Sequence, residues 1–247
     1  MKILVLIGNV PDTTTKIKFN ADKTAFDAAG VQWIINPWDE LALTRAMELK
    51  EAPGSSIESI TVANVGRQET EATLRKALAI GADKAIRVDA DAQDAFYVAN
   101  QLAQIAGGFD LIFAGVEASD YNGAAVGGML AELLGIQSVS AVSSLLVEGN
   151  SIKITREIEG GSQTVGVVTP VVAIVQKGIA KEPRIPAMRG IMMARSKPLE
   201  VVNPVATETR VSFVSFDLPP AKANCKKFTE EQGKELINAL REEAKVL

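Results

Sequence analysis

The stretch "GVEASDYNGAAVG", residues 115–127, sets Asp120, Tyr121 and Asn122 in front of Gly123, Ala124, Ala125, Val126 and Gly127. Small residues ahead of a helix let an anion come close to the backbone. The unpaired N–H groups of a helix N-terminus attract phosphate. Three other stretches carry candidate ligand contacts: Leu6 at the end of "KILVL", the run Asn36-Pro37-Trp38-Asp39, and Val65 in "NVGRQ". No Gly-Lys-Ser/Thr follows the small-residue loop, so it is not a Walker loop, and it lacks the GxGxxG spacing of a dinucleotide site. The small residues serve tight helix-on-sheet packing equally well. Taken alone, "NPWDE" reads as a helix cap and "NVG" as a strand-to-helix turn.

Composition narrows the chemistry. Among 247 residues there is no histidine and one cysteine, Cys225. Ser-His-Asp and Cys-His catalysis, most zinc sites and intrachain disulfides are therefore excluded. A formal net charge of −4 argues against broad affinity for nucleic acid or an anionic membrane surface. No apolar run approaches the ~20 residues of a membrane span, so membrane insertion is not expected. The opening "MKILVLIGNVP" has a short apolar core and no small-residue cleavage site, and reads as a first strand. The expected location is cytoplasmic. Any catalysis would rest on carboxylates such as Glu117 and Asp120, on lysines, or on a borrowed cofactor.

The candidate residues need a frame, and the chain supplies one. "KILVLIGNV", "SIESITVANVG", "KAIRVDA" and "DLIFAGV" are continuous apolar strand patterns. They alternate with helix patterns at "PWDELALTRAMELKE", "RQETEATLRKALAIGAD", "DAFYVANQLAQIAGG" and "NGAAVGGMLAELLG". Asn36 stands as N-cap of the first helix, with Pro37 at its first position and Asp39 and Glu40 in the first turn. Such βα alternation predicts an α/β fold: a mostly parallel, Rossmann-like sheet with helices on both faces. In such sheets ligands bind beyond the carboxyl ends of the strands, where the four candidate stretches converge. From "SLLVEGNSIKITREIEGG" onward, alternating strands and a Gly149-Asn150 turn predict antiparallel edge strands. Residues 1–186 form the expected α/β domain. Residues 187–247 form an expected C-terminal arm that packs on a partner subunit, its final helix opening on a Thr229/Gln232 capping box.

In this order the stretches resemble the beta-subunit of electron-transfer flavoproteins. The resemblance covers nearly the whole chain, and its most specific parts are "ITREIEGGSQTVGVVTPVVAIV" and "KEPRIPAMRGIMMARSKPLE". It implies an alpha-subunit partner that holds most contacts to a redox-active FAD, and an AMP in this subunit. It also implies electron flow from acyl-CoA-type dehydrogenases to a membrane quinone oxidoreductase or another acceptor. Carried over by position, Leu6 touches the adenosine, and Asn36, Pro37, Trp38 and Asp39 surround the nucleoside. Val65 takes the strand-end position. Asn122 to Val126 present N–H groups and the Asn122 side chain to the phosphate, with Gly127 in the same run. Asp120 binds loop amides or the ribose and points away from the phosphate. In "QKGIAKEPRIP", Ile179 takes the place of the exposed apolar anchor for dehydrogenases. Members commonly carry Lys before Val-Pro, whereas this chain has Gly8-Asn9, which leaves AMP and a second FAD of the electron-bifurcating members both open.

Two other classes stand beside this reading. One is a stand-alone adenine-nucleotide-binding signalling module, which would not need the long arm. The other is an adenylate-handling hydrolase or transferase, which lacks a Walker lysine.

Overall fold

The computed structural model describes residues 1–149, 151–222 and 224–247. The chain begins with β1 (Lys2–Leu6), a short ribbon of β2 (Asn9–Pro11) and β3 (Trp33–Ile35), and α1 (Pro37–Glu51). Then follow β4 (Ser59–Val65), α2 (Glu71–Ile80), β5 (Lys84–Val88), α3 (Ala95–Ala106), β6 (Leu111–Gly115) and α4 (Val126–Leu134). Next come β7 (Gln137–Glu148), β8 (Ser151–Ile158), β9 (Gly161–Val168), β10 (Val171–Val175), α5 (Met188–Ala194), β11 (Leu199–Val202) and α6 (Gly233–Asn238). Nine strands form one sheet in the order β11-β5-β4-β1-β6-β10-β7-β8-β9. All its pairs are parallel except β7–β8 and β8–β9.

Period-two alternation divides the core into two layers. Ile3, Val5 and Ile7, with Leu111 and Phe113, face one side and pack with Leu43, Met47, Leu74 and Leu78 of α1 and α2. Leu4 and Leu6, with Ile112 and Ala114, face the other and pack with Leu102 of α3 and Leu130 of α4. Burial on both faces is why these strands read as unbroken apolar runs. The order also fixes a switch point. From β1 the chain steps outward through β4 and β5, then returns to the opposite side of β1 to lay down β6. The connections therefore diverge between the carboxyl ends of β1 and β6 and leave a crevice there.

The α/β class, the helices on both faces and the antiparallel edge agree with the sequence reading. Of the Gly149-Asn150 turn, Asn150 lies outside the described residues. Two placements differ from expectation. β10 does not extend the antiparallel edge but inserts between β6 and β7, parallel to both. All five of its residues are buried, as two-sided burial requires. Residues 187–202 supply α5 and the edge strand β11, which pairs with β5 of the same domain. Gly190 permits the close crossing of α5 on α2, since a Cβ there would strike the carbonyl of Ala79. Lys197 fixes the following turn by donating to Leu78 O at 2.9 Å, near the C-terminus of α2, and to Ala82 O at 2.7 Å, two residues past it.

Candidate functional site

A cavity of about 650 Å³ occupies the switch-point crevice. Leu6, Ala63, Val65, Val98 and Leu102 give it apolar walls, and Gly123, Ala124, Ala125 and Val126 line it from the loop before α4. Ala125 places no side-chain cap on α4, which leaves the first-turn N–H groups to another acceptor. The backbone of this loop is unusual: Asn122 and Ala124 hold φ of 51° and 48°. Non-glycine residues rarely occupy that region, and such strain collects at ligand sites.

The two polar residues of "NPWDE" work on the protein itself. Asn36 sits at the N-cap position of α1, as expected, but makes no side-chain cap. Its Nδ2 donates to Glu117 O at 2.8 Å, and its Oδ1 accepts from Ser119 N at 3.2 Å. It holds the loop after β6. Asp39 is 5% exposed. One carboxylate oxygen accepts from Gly8 N at 2.7 Å and the other from Gly115 N at 2.9 Å. A single carboxylate thus ties the ends of β1 and β6 across the switch point. Burial pushes its pKa up from 3.8 to about 6, against the opposing pull of the Gly8 amide, the Asn36 side chain and the Gly115 amide. Glycine is required beneath it: a Cβ on Gly115 would run into Asp39 Oδ1 and lie 2.8 Å from the Cβ of Trp38.

The expected site residues divide accordingly. Leu6, Asn36, Asp39, Val65, Asp120, Gly123, Ala124, Ala125 and Val126 all reach the cavity lining. Pro37, Trp38, Asn122 and Gly127 stand outside it. Pro37 opens α1. The Asn122 amide donates to Ala118 O at 2.8 Å and shapes the loop from behind. Gly127 belongs to helix-on-sheet packing, because a Cβ there would lie 2.9 Å from Ile174 Cγ1 and 3.1 Å from Ala114 Cβ. Gly123, by contrast, has open space where its Cβ would be. Asp120 accepts from the amide of Tyr121 at 2.9 Å, and burial raises its pKa. Ile179 is corrected outright: at 3% exposure it lies in the core rather than on the surface. Gly178, at φ 103° and set tightly against Ser143, turns it inward. Ile185, at 87% exposure, is the outward apolar side chain of that stretch.

Sequence reasoning missed several lining residues. Arg67 stands at the rim, where its guanidinium donates to Asp89 O at 2.9 Å and Asp91 Oδ2 at 3.0 Å. Asp94 N-caps α3 through Tyr97 N at 2.7 Å, a pattern the sequence does carry in "DAFY". Val211 and Phe213 arrive from the C-terminal segment with no local sign of it.

A parallel sheet covered on both faces, with a cavity at its switch point beside an uncapped helix N-terminus, defines a Rossmann-like α/β protein. The chain belongs to the electron transfer flavoprotein family: the family model described as "Electron transfer flavoprotein domain" matches residues 23–207. It is 35% identical over 263 aligned residues to the electron transfer flavoprotein subunit beta of Bacillus subtilis (strain 168), covering 100% of both chains. It is 38% identical over 235 residues to the protein of the same name from Syntrophomonas wolfei, covering 94% of this chain and 91% of that one. The Homo sapiens subunit beta is 30% identical over 233 residues, with 90% of each chain covered. No helix among the described residues is long and apolar enough to cross a membrane.

Proposed function

We propose that this chain is the beta-type subunit of a two-chain electron transfer flavoprotein and holds AMP in the switch-point cavity. The supporting observation is the cavity itself: its apolar walls lead to a strained loop and an uncapped helix N-terminus suited to a phosphate. The wall supplies little positive charge, so backbone N–H groups would carry the phosphate. Arg67 is the one cation among the described lining residues, already engaged by Asp91, against six carboxylates.

The residues divide the work. The amides of 123–126 and the first turn of α4 take the phosphate. Leu6, Val65 and Leu102 shield the base from water. Asn36 and Asp39, on the cavity wall, bind the loops after β1 and β6 and hold the pocket in register. The FAD, shared with and held mainly by an alpha-type partner, would supply the electron chemistry, while the protein supplies position and environment. Electrons would come from acyl-CoA-type dehydrogenases and leave to a membrane quinone oxidoreductase or another acceptor, with the assembly in the cytoplasm. This is the role of an electron carrier without a catalytic residue of its own. The exposed C-terminal residues beyond 217 would lie on the alpha-type partner.

Co-expression with an alpha-type subunit tests the reading. A yellow heterodimer that releases one FAD and one AMP on denaturation, by mass spectrometry, is expected. Two FAD and no AMP would replace AMP by the bifurcating form. A colourless monomer that hydrolyses ATP would refute the carrier role.

A further inference from the structure

The chain after β11 stays on its own domain for some distance. Gln101 of α3, fully buried, clasps Val205: its Nε2 donates to Val205 O at 2.8 Å and its Oε1 accepts from Val205 N at 2.9 Å. Further on, Asp94 Oδ2 accepts from Arg210 N at 2.5 Å and Val211 N at 2.8 Å, while Oδ1 caps α3. The Arg210 guanidinium lies 4.9 Å from the centre of the Phe96 ring. A second anchor follows. Phe216 N donates to Lys23 O at 2.8 Å, and the Phe216 ring stacks on Phe19 at 5.3 Å and 21°. Lys23 Nζ pairs with Asp217 at 2.5 Å.

Between these anchors, Val211 and Phe213 form part of the cavity lining. The Phe213 ring meets Tyr121, from the loop before α4, at 5.0 Å and 31°, and Phe216 at 5.2 Å and 31°. Four rings thus run from the 19–26 segment to the strained loop. Phe213 and Tyr121 are 57% and 56% exposed. Aromatic side chains held in place at a cavity, yet with much of their surface uncovered, have area left for a planar ligand to cover.

We propose that residues 210–217 are the closing wall of the nucleotide cavity, with Phe213 and Tyr121 presenting an aromatic face to the bound adenine nucleotide. The inference rests on the nucleotide reading above and adds a segment that the motifs did not reach. Its consequence is reciprocal. Whatever the docked segment adds to ligand affinity, the ligand adds to docking of the segment. Entry and exit of the nucleotide then require the Asp94 and Phe216 anchors to open.

AMP titration by calorimetry of the full-length chain, as wild type, Phe213→Ala and Asp94→Asn, combined with hydrogen exchange over residues 210–217, tests this. Phe213→Ala is expected to bind AMP at least tenfold more weakly. Asp94→Asn, whose amide can serve the α3 cap or the two arm amides but not both, is expected to weaken binding and speed exchange at residues 210 and 211. In the wild type, AMP is expected to slow exchange across 210–217, a readout that needs no variant. Wild-type binding with Phe213→Ala undiminished, or exchange indifferent to AMP, overturns this inference and leaves the nucleotide reading standing. A wild type that does not bind AMP overturns both.

Discussion

Replacing Asp39 by Asn probes the tie between β1 and β6 through its pH dependence. The folded carboxyl titrates near 6 instead of 3.8 because it is buried. The folded state therefore binds a proton more readily than the unfolded chain between those values, and stability falls as pH rises through that window. A shift of this size, at 1.36 kcal/mol per unit, is worth about 3 kcal/mol in full, of which about 2 kcal/mol falls between pH 4.5 and 7.5. Asn cannot titrate. Its one carbonyl oxygen can take the Gly8 or the Gly115 amide, and its NH2 faces the other donor, so Asp39→Asn is less stable than the parent at pH 4.5. The deficit should shrink by about 2 kcal/mol at pH 7.5, because only the parent loses stability over this interval. Urea unfolding of both ligand-free proteins at a series of pH values measures it. Parallel stability profiles would refute the reasoning, since they would mean that Asp39 carries no raised pKa.

Two further predictions use the same assay. Gly115→Ala, which forces a methyl against Asp39 and Trp38, should cost about 1–3 kcal/mol, whereas Gly123→Ala, which enters open space, should stay within about 0.5 kcal/mol. Gly123→Ala should still lower AMP affinity in a calorimetric titration, because the methyl stands where the phosphate must approach. Lys197→Met removes the donor that closes the α2 C-terminus and should lower the urea midpoint by an amount equivalent to about 1–3 kcal/mol.

The frame was legible because it is periodic. Strands buried on both faces, such as Ile3 to Ile7 and Leu111 to Ala114, announce themselves, and so does a helix that begins Asn-Pro. The general place of the site followed from the sheet's topology. What was hidden depends on partners distant in sequence. "VVAIV" has the composition of any buried strand, and nothing local says that it belongs between β6 and β7. Asn36 and Asp39 line the cavity as the sequence suggested, but their hydrogen bonds to the backbone amides of residues 8, 115 and 119 could not be read from it. Gly127 shows how one small-residue run serves two purposes, with packing at one end and open space at the other. The contacts of residues 187–202 with α2 and β5 were hidden because two short elements, "MRGIMMA" and "LEVV", have little pattern of their own. They are ordered by α2 and β5.

The position of β10 also bears on the order of assembly. Strand β6 has β1 on one side from early in synthesis, but its other edge stays open until Val171–Val175 emerges. Until then no described strand joins the β7–β9 antiparallel unit to the rest of the sheet, because β10 lies between β6 and β7. If the sheet forms as the chain is synthesised, one late strand must join its two parts, a long-range step that would favour slow folding and aggregation. Mutations in β10 should consequently damage yield on expression more than their loss of folded stability would suggest.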